Sequence, residues 1–237
     1  MAKLIYAQIM AGGTGKRMGN TPLPKQFLML ASKPIIIHTL EKFILNNEFS
    51  LILISTPETW IDYTEEIIQK YGINDSRIRV IAGGKERNDT LMNALNFIES
   101  VNELTPDDWI ICHDAVRPFI TKRIIDDNIE ALEYYTAVDT VVPAFDTIVR
   151  GNDGQIIEIP VRDEMYQGQT PQSFHILPLK SALTNLSDGE KSTLSDSAKV
   201  MLLAGEKVGL VNGEQTNMKI TTQYDLKMAN SLIVEAN

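Results

Sequence analysis

Leu4-Ile5-Tyr6-Ala7-Gln8-Ile9-Met10-Ala11 runs without a charge into Gly12-Gly13-Thr14-Gly15-Lys16-Arg17-Met18-Gly19, and Lys25 follows in the same loop. An apolar run that breaks into glycines reads as a buried β-strand entering a turn. Glycines let backbone N–H groups approach anionic oxygens, and Arg17 and Lys25 add charge, so the loop suits a polyphosphate. It is not a P-loop, because Arg17 stands where Ser or Thr must follow Gly15-Lys16. Nor is it a dinucleotide fingerprint, because Met18 occupies the place of the last glycine. The plain alternative is a glycine-rich strand-to-helix turn with no ligand.

Outward from this strand, extended and helical patterns alternate. Strands are expected at Leu4–Ala11, Leu51–Thr56, Arg77–Ala82, Trp109–His113 and Thr140–Ala144. Helices are expected between them at Pro34–Leu45, Glu58–Tyr71, Glu86–Val101 and Thr121–Tyr134. Such alternation implies an α/β fold, a three-layer α/β/α arrangement about a mostly parallel, Rossmann-like sheet. From Phe145 to Val161 the pattern changes to short extended pieces about Gly151-Asn152-Asp153-Gly154, which reads as a projecting β-hairpin arm at about 145–165. Two helices (about Leu177–Leu186 and Asp196–Ala204), a strand pair near Val208–Val211 and Met218–Ile220, and a helix from Tyr224 complete the chain. No repeat or linker interrupts it, so residues 1–237 are expected to form a single domain.

Composition removes several classes of function. The 237 residues are 43% hydrophobic and 22% charged, values ordinary for a globular protein and not for a disordered one. A net charge of -9 argues against nucleic-acid binding, although local basic loops still permit an anionic substrate. The single cysteine, Cys112, excludes an intrachain disulfide, and its apolar surroundings suit a buried inert thiol. The chain lacks an 18-residue apolar run and a signal-peptide pattern, so a cytoplasmic location and no membrane partner are expected.

In open parallel sheets, ligands bind beyond the C-terminal ends of the strands. Gly12, Gly13, Arg17 and Lys25 follow the first strand. Gly83, Gly84, Arg87, Asn88 and Thr90 follow the third, and His113-Asp114-Ala115-Val116-Arg117-Pro118 closes the fourth. Asp146 and Thr147 follow the fifth. Asp114 is the candidate metal ligand, since one carboxylate can hold Mg²⁺ when phosphates and waters supply the other oxygens. Its alternative is a capping or turn aspartate. His113 alternates with Asp114 and should face the core. His38 and His175 have no partners at ligand spacing, so zinc is not indicated. Lys219 is the lone cation between Val208 and Leu226, readable as a ligand or as an exposed edge lysine. Ser195-Asp196 reads first as a helix cap.

Ala11–Met18, Pro24-Lys25-Gln26-Phe27, Gly83-Gly84, His113–Pro118, Thr170-Pro171-Gln172 and Asn217-Met218-Lys219-Ile220-Thr221 occur in the order seen in the sugar-alcohol-phosphate cytidylyltransferases, and the chain resembles that family along nearly its whole length. The resemblance implies the nucleotide-diphospho-sugar transferase type of fold, with CTP and a polyol phosphate as substrates and Mg²⁺ as cofactor. It implies that Arg17, Lys25 and Lys219 are catalytic and that Asp114 holds the metal. Ala11, Gly12, Gly13, Gly15, Gly84, Thr90 and Asp114 would bind CTP. Arg117, Thr147, Arg162, Ser195 and Thr221 would bind the acceptor, the arm crossing to a partner subunit in a homodimer.

The segment from Pro160 to Phe174 looks closer to the branch acting on ribitol phosphate for teichoic-acid synthesis than to the methylerythritol-phosphate branch of isoprenoid synthesis. That reading makes a ribitol-phosphate dehydrogenase a functional partner. Tyr166, Gln167 and Gln169 are polar and lean the same way. Lys85 stands where the methylerythritol branch has aspartate, and Ser195 where it has threonine. A non-catalytic nucleotide-binding regulator is the reading from another class; it would be expected to lack one of Arg17, Lys25, Asp114 or Lys219, and all four are present.

Overall fold

The computed structural model describes residues 3–13, 18, 23–187, 189–190 and 196–235. Seven strands form one sheet: β1 (Ile5–Met10), β4 (Phe49–Thr56), β5 (Ile78–Ala82), β6 (Trp109–Asp114), β7 (Ala137–Pro143), β10 (Tyr166–His175) and β11 (Val208–Asn212). Their spatial order is β11-β7-β10-β6-β1-β4-β5. Every neighbouring pair is parallel except those of β10, which runs antiparallel to both β6 and β7.

Side-chain alternation explains the layers. Ile5, Ala7 and Ile9 of β1, with Trp109 and Ile111 of β6, face one side. There they pack on α1 (Ile35–Ile44), α2 (Ile61–Lys70) and α4 (Lys122–Ala131). Tyr6, Ile110 and Cys112 face the other side, toward α3 (Arg87–Val101), α5 (Ile176–Asn185) and α6 (Ser197–Leu203). The final helix, α7 (Gln223–Glu235), packs through Ala229 on Leu30, Ile35 and Ile220. Leu30 belongs to a short hairpin, β2 (Met29–Leu30) with β3 (Lys33–Pro34). No helix among the described residues is long and apolar enough to cross a membrane.

The expected alternation of strands and helices holds through β7. The 145–165 arm is present as a separate two-stranded sheet, β8 (Arg150–Asn152) with β9 (Gln155–Glu158). Two features differ from expectation. Met218–Ile220 does not pair as a strand; Ile220 makes one backbone hydrogen bond, N–H to Val116 O at 2.9 Å, and is held by packing instead. β10 carries no periodic pattern and contains Pro171, which ordinarily argues against a central strand. The ladder accommodates it by a register shift between Gly168 and Gln172 on the β7 side. The arm reverses the chain beyond β7, so β10 returns through the sheet in the opposite direction.

Candidate active site

A cavity of about 310 Å³ opens where β1 and β6 end, lined by residues of five chain segments including Gly12, Gly13, Lys25, Gly84, Thr90, Asp114 and Lys219. Its floor is set by β-strand parity. Asp114 follows Cys112 by two residues and so projects to the α3 side, while His113 projects to the α1 side. His113 is fully buried and packs at a tilt against Phe43, with ring centroids 5.3 Å apart. Its Nε2 donates to Arg117 O (3.1 Å), so Nδ1 accepts from Thr170 Oγ1 (2.9 Å). Burial pushes its pKa down to about 4, and the ring is neutral. The core role expected for His113 therefore holds. Cys112 is likewise buried, its thiol pushed up to about 12 by desolvation.

Asp114 is the electrostatic centre. Lys219 Nζ lies 2.9 Å from Oδ2, Arg87 Nη1 donates to Oδ1 at 3.1 Å, and Arg117 Nε lies 3.5 Å from Oδ2. Burial alone would raise its pKa, but the charges of Arg87, Lys219 and Arg117 outweigh that and hold it far below the usual carboxylate range. Arg117 is fixed in turn by donating Nη1 to Asn217 O (2.7 Å). Lys219 is thus drawn to Asp114 by the Asn217–Ile220 segment and is not an edge lysine.

Lys25 begins a short 3-10 turn behind Pro24 and is buried, with its chain passing over Gly13. A Cβ on Gly13 would stand 3.1 Å from Lys25 Cε, so the lysine packs closely over the glycine. Gly84 is required by close approach as well, since a Cβ there would collide with Asp89. Thr90 Oγ1 accepts from Gly84 N–H and donates to Glu86 O, both at 2.9 Å. Its hydroxyl therefore shapes the Gly83-Gly84 turn at the cavity wall.

The remaining expected residues are distributed differently. Thr221 is turned away from the cavity: its N–H and hydroxyl both donate to Asp225 Oδ2 at 2.8 Å, part of the cap that starts α7. Thr147 and Arg162 are exposed on and beside the arm, and the chain does not fold them into its own cavity. Gly15, Arg17 and Ser195 lie outside the described residues.

Two residues at the site went unassigned in the sequence. Arg87 opens α3, where a cation opposes the helix dipole, and that unfavourable placement signals an anionic partner elsewhere. Gln26 lines the cavity and donates Nε2 to Ala11 O (2.6 Å), while its buried Oε1 has no hydrogen-bond partner among the described residues. Its adjacency to Lys25 was the only available sign.

Lys25, Lys85, Arg87 and Lys219 outnumber Glu86 and Asp114 on the cavity wall of a chain whose net charge is -9. Such a surplus suits holding a triphosphate while a second anion approaches it, the task of a nucleotidyltransferase. The chain belongs to the IspD family, whose model, described as 2-C-methyl-D-erythritol 4-phosphate cytidylyltransferase, matches residues 5–235. It is a CTP-dependent cytidylyltransferase.

The chain is 57% identical over 230 residues to a ribitol-5-phosphate cytidylyltransferase of Lactiplantibacillus plantarum, covering 97% of this chain and 98% of that protein. Two solved structures share the fold. A 4-diphosphocytidyl-2C-methyl-D-erythritol synthase from Anaerococcus prevotii superposes with a TM-score of 0.81 at 26% identity, covering 98% of this chain and 96% of the other. A 2-C-methyl-D-erythritol 4-phosphate cytidylyltransferase from Francisella tularensis gives 0.80 at 29% identity, covering 97% and 99%.

Proposed function

We propose that the protein transfers the cytidylyl group of CTP to D-ribitol 5-phosphate, giving CDP-ribitol and pyrophosphate. The observation that carries the acceptor is the 57% identity, over nearly both full lengths, to a relative bearing that name. Methylerythritol phosphate, named in the Francisella tularensis relative at 29% identity, is the second reading.

An oxygen of the acceptor phosphate attacks the α-phosphorus of CTP, the bond to the β-phosphate bridging oxygen breaks, and pyrophosphate leaves. The nucleophile is already anionic, so no general base is needed. The protein's work is to align two mutually repelling anions and screen them. Lys25 and Lys219 flank the triphosphate and, with Arg17, meet the charge developing at the α-phosphorus. Ala11, Gly12, Gly13 and Gly84 supply backbone edges, and Thr90 holds the Gly84 wall against which the base lies.

Asp114, held ionised, would be the residue to hold Mg²⁺, together with phosphate oxygens of the substrates. Bound there, the ion supplies Lewis-acid polarisation of the phosphates. Arg87 and Lys219 then have phosphate oxygens available in place of the carboxylate.

The arm serves a second subunit in this reading. Ile156, Ile157, Ile159 and Val161 are all more than half exposed in the single chain. Exposed apolar side chains in that number suit a partner copy. Thr147 and Arg162 would then reach the partner's acceptor pocket. Arg162→Lys is expected to raise the acceptor KM about tenfold while leaving the CTP KM nearly unchanged, because a lysine cannot reproduce the guanidinium fork on a phosphate. Equal loss for both substrates would misplace the arm. We place the enzyme in the cytoplasm, supplying activated ribitol for teichoic-acid synthesis downstream of a ribitol-phosphate dehydrogenase.

The deciding experiment is pyrophosphate release with CTP and Mg²⁺, comparing D-ribitol 5-phosphate with methylerythritol 4-phosphate. Preference for the first supports the proposal, and preference for the second replaces it with isoprenoid chemistry.

A further inference from the structure

The strand register places a carboxylate that the reaction above does not use on the sheet face of Asp114, two strands away. Gln172 pairs with Cys112 on β6 and with Asp139 on β7, so the three side chains share the sheet face from which Asp114 projects. Gln172 Nε2 donates to Asp139 Oδ1 (3.0 Å) and to Asp196 Oδ2 (2.8 Å). Its Oε1 accepts from Arg87 Nη2 (3.1 Å), whose Nη1 donates to Asp114. One amide and one guanidinium therefore separate Asp139 from the carboxylate at the centre.

Asp139 is only half satisfied by this network. Gln172 spends its two amide protons on two different carboxylates, and among the described residues no donor reaches Asp139 Oδ2. Oδ2 lies 3.8 Å from where a Cβ on Gly168 would stand, at the break in the β7–β10 ladder. Gly168 sets no side chain against Oδ2, and the β7–β10 pairing is interrupted there. Burial and the nearby Asp196 push the Asp139 pKa up to about 7, against the opposing charges of Arg87 and Arg117. The strand order favours the acceptor as the substrate on this side. Gly84 and Thr90, on the CTP wall, follow β5 at one end of the sheet, whereas Asp139 sits on β7, on the other side of Asp114.

We propose that Asp139 is a specificity-determining residue that accepts a hydroxyl of the polyol acceptor through Oδ2, positioned for it by Gln172. The inference rests on the polyol-phosphate reading of the site. A site built to hydrogen-bond a hydroxyl rejects an acceptor that lacks it, because the buried polar group is then left unpaired.

The test compares Asp139→Leu and Asp139→Asn with wild type at saturating CTP, using D-ribitol 5-phosphate, erythritol 4-phosphate and glycerol 3-phosphate. Asp139→Leu is expected to raise the KM for D-ribitol 5-phosphate roughly 10- to 100-fold. The wild-type preference for it over glycerol 3-phosphate should shrink by the same factor, with the CTP KM held within about twofold. Asp139→Asn keeps the Gln172 bond through Oδ1 and should fall between; it carries the test if the leucine variant does not fold. An unchanged preference ratio overturns the proposal, as does a parallel rise in both substrates' KM values, which would mean that the residue merely supports Arg87. If wild type ignores D-ribitol 5-phosphate but uses methylerythritol 4-phosphate, the acceptor reading fails separately. The ratio of that acceptor to glycerol 3-phosphate then decides the role of Asp139.

Discussion

Asp114→Asn is expected to lower kcat by about 10² to 10³ and to destabilise the fold at the same time. The carboxylate is 6% exposed and faces Lys219, Arg87 and Arg117. Neutralising it leaves three cations facing one another, Arg117 itself being buried. Breaking a buried pair on one side costs on the order of 3 kcal/mol. At about 2–4 °C per kcal/mol for a chain of this size, Tm should fall by roughly 10 °C. The Asp114 pKa is depressed, so its stabilising contribution is fully present above the unfolded value, about 4, and is lost only as pH falls below it. The difference in Tm between variant and wild type should therefore stay flat across neutral pH and narrow in strong acid. Thermal scans across pH, with turnover measured well below both transitions, separate the two effects. A variant that loses stability but keeps turnover within about tenfold would reduce Asp114 to a structural hub and overturn its proposed metal-binding role.

Lys25→Ala should act almost wholly on turnover. The side chain is confined between Gly13 and the 3-10 turn, and it lines the same cavity wall as Lys219. Its charge matters most when negative charge builds at the α-phosphorus, so kcat is expected to drop about 10²- to 10³-fold while the CTP KM moves by less than about tenfold. Steady-state kinetics with CTP varied at saturating acceptor read this directly. If kcat is unchanged and only KM rises, Lys25 contributes uniform binding and has no part in the chemical step.

Much of the architecture was legible because its determinants are local. The apolar run ending at Gly12-Gly13, and the alternation of strands with amphipathic helices as far as β7, follow from side-chain periodicity alone. β10 was not legible for the opposite reason. Tyr166 to Ser173 is polar, contains Gly168 and Pro171, and belongs in the sheet only because β6 and β7 pair with it from both sides. Met218–Ile220 erred the other way: alternation suggested a strand, yet Ile220 is held by the small cluster under α7.

The candidate site divides along the same line. Asp114 and Lys25 stand out in the sequence because each follows a strand, while Lys219, readable as an edge lysine, gains a role only from the order of the family motifs. Thr221 matched a motif equally well, but Asp225, four residues later, takes its hydroxyl. Arg87 and Gln172 stood in plain view without a role, because their partners are far away along the chain.

The sequence by itself determined the layered α/β class, the glycine turn and the residue types able to hold a triphosphate, since periodicity, glycine placement and charge are properties of neighbouring residues. Only the tertiary structure decided that Asp114 is gripped by Arg87, Lys219 and Arg117, that the Thr221 hydroxyl is taken by Asp225, and that Asp139 Oδ2 has no donor among the described residues. Those outcomes depend on which side chains from separate strands and loops meet in a buried place, where a charge must find its partners or stay unsatisfied.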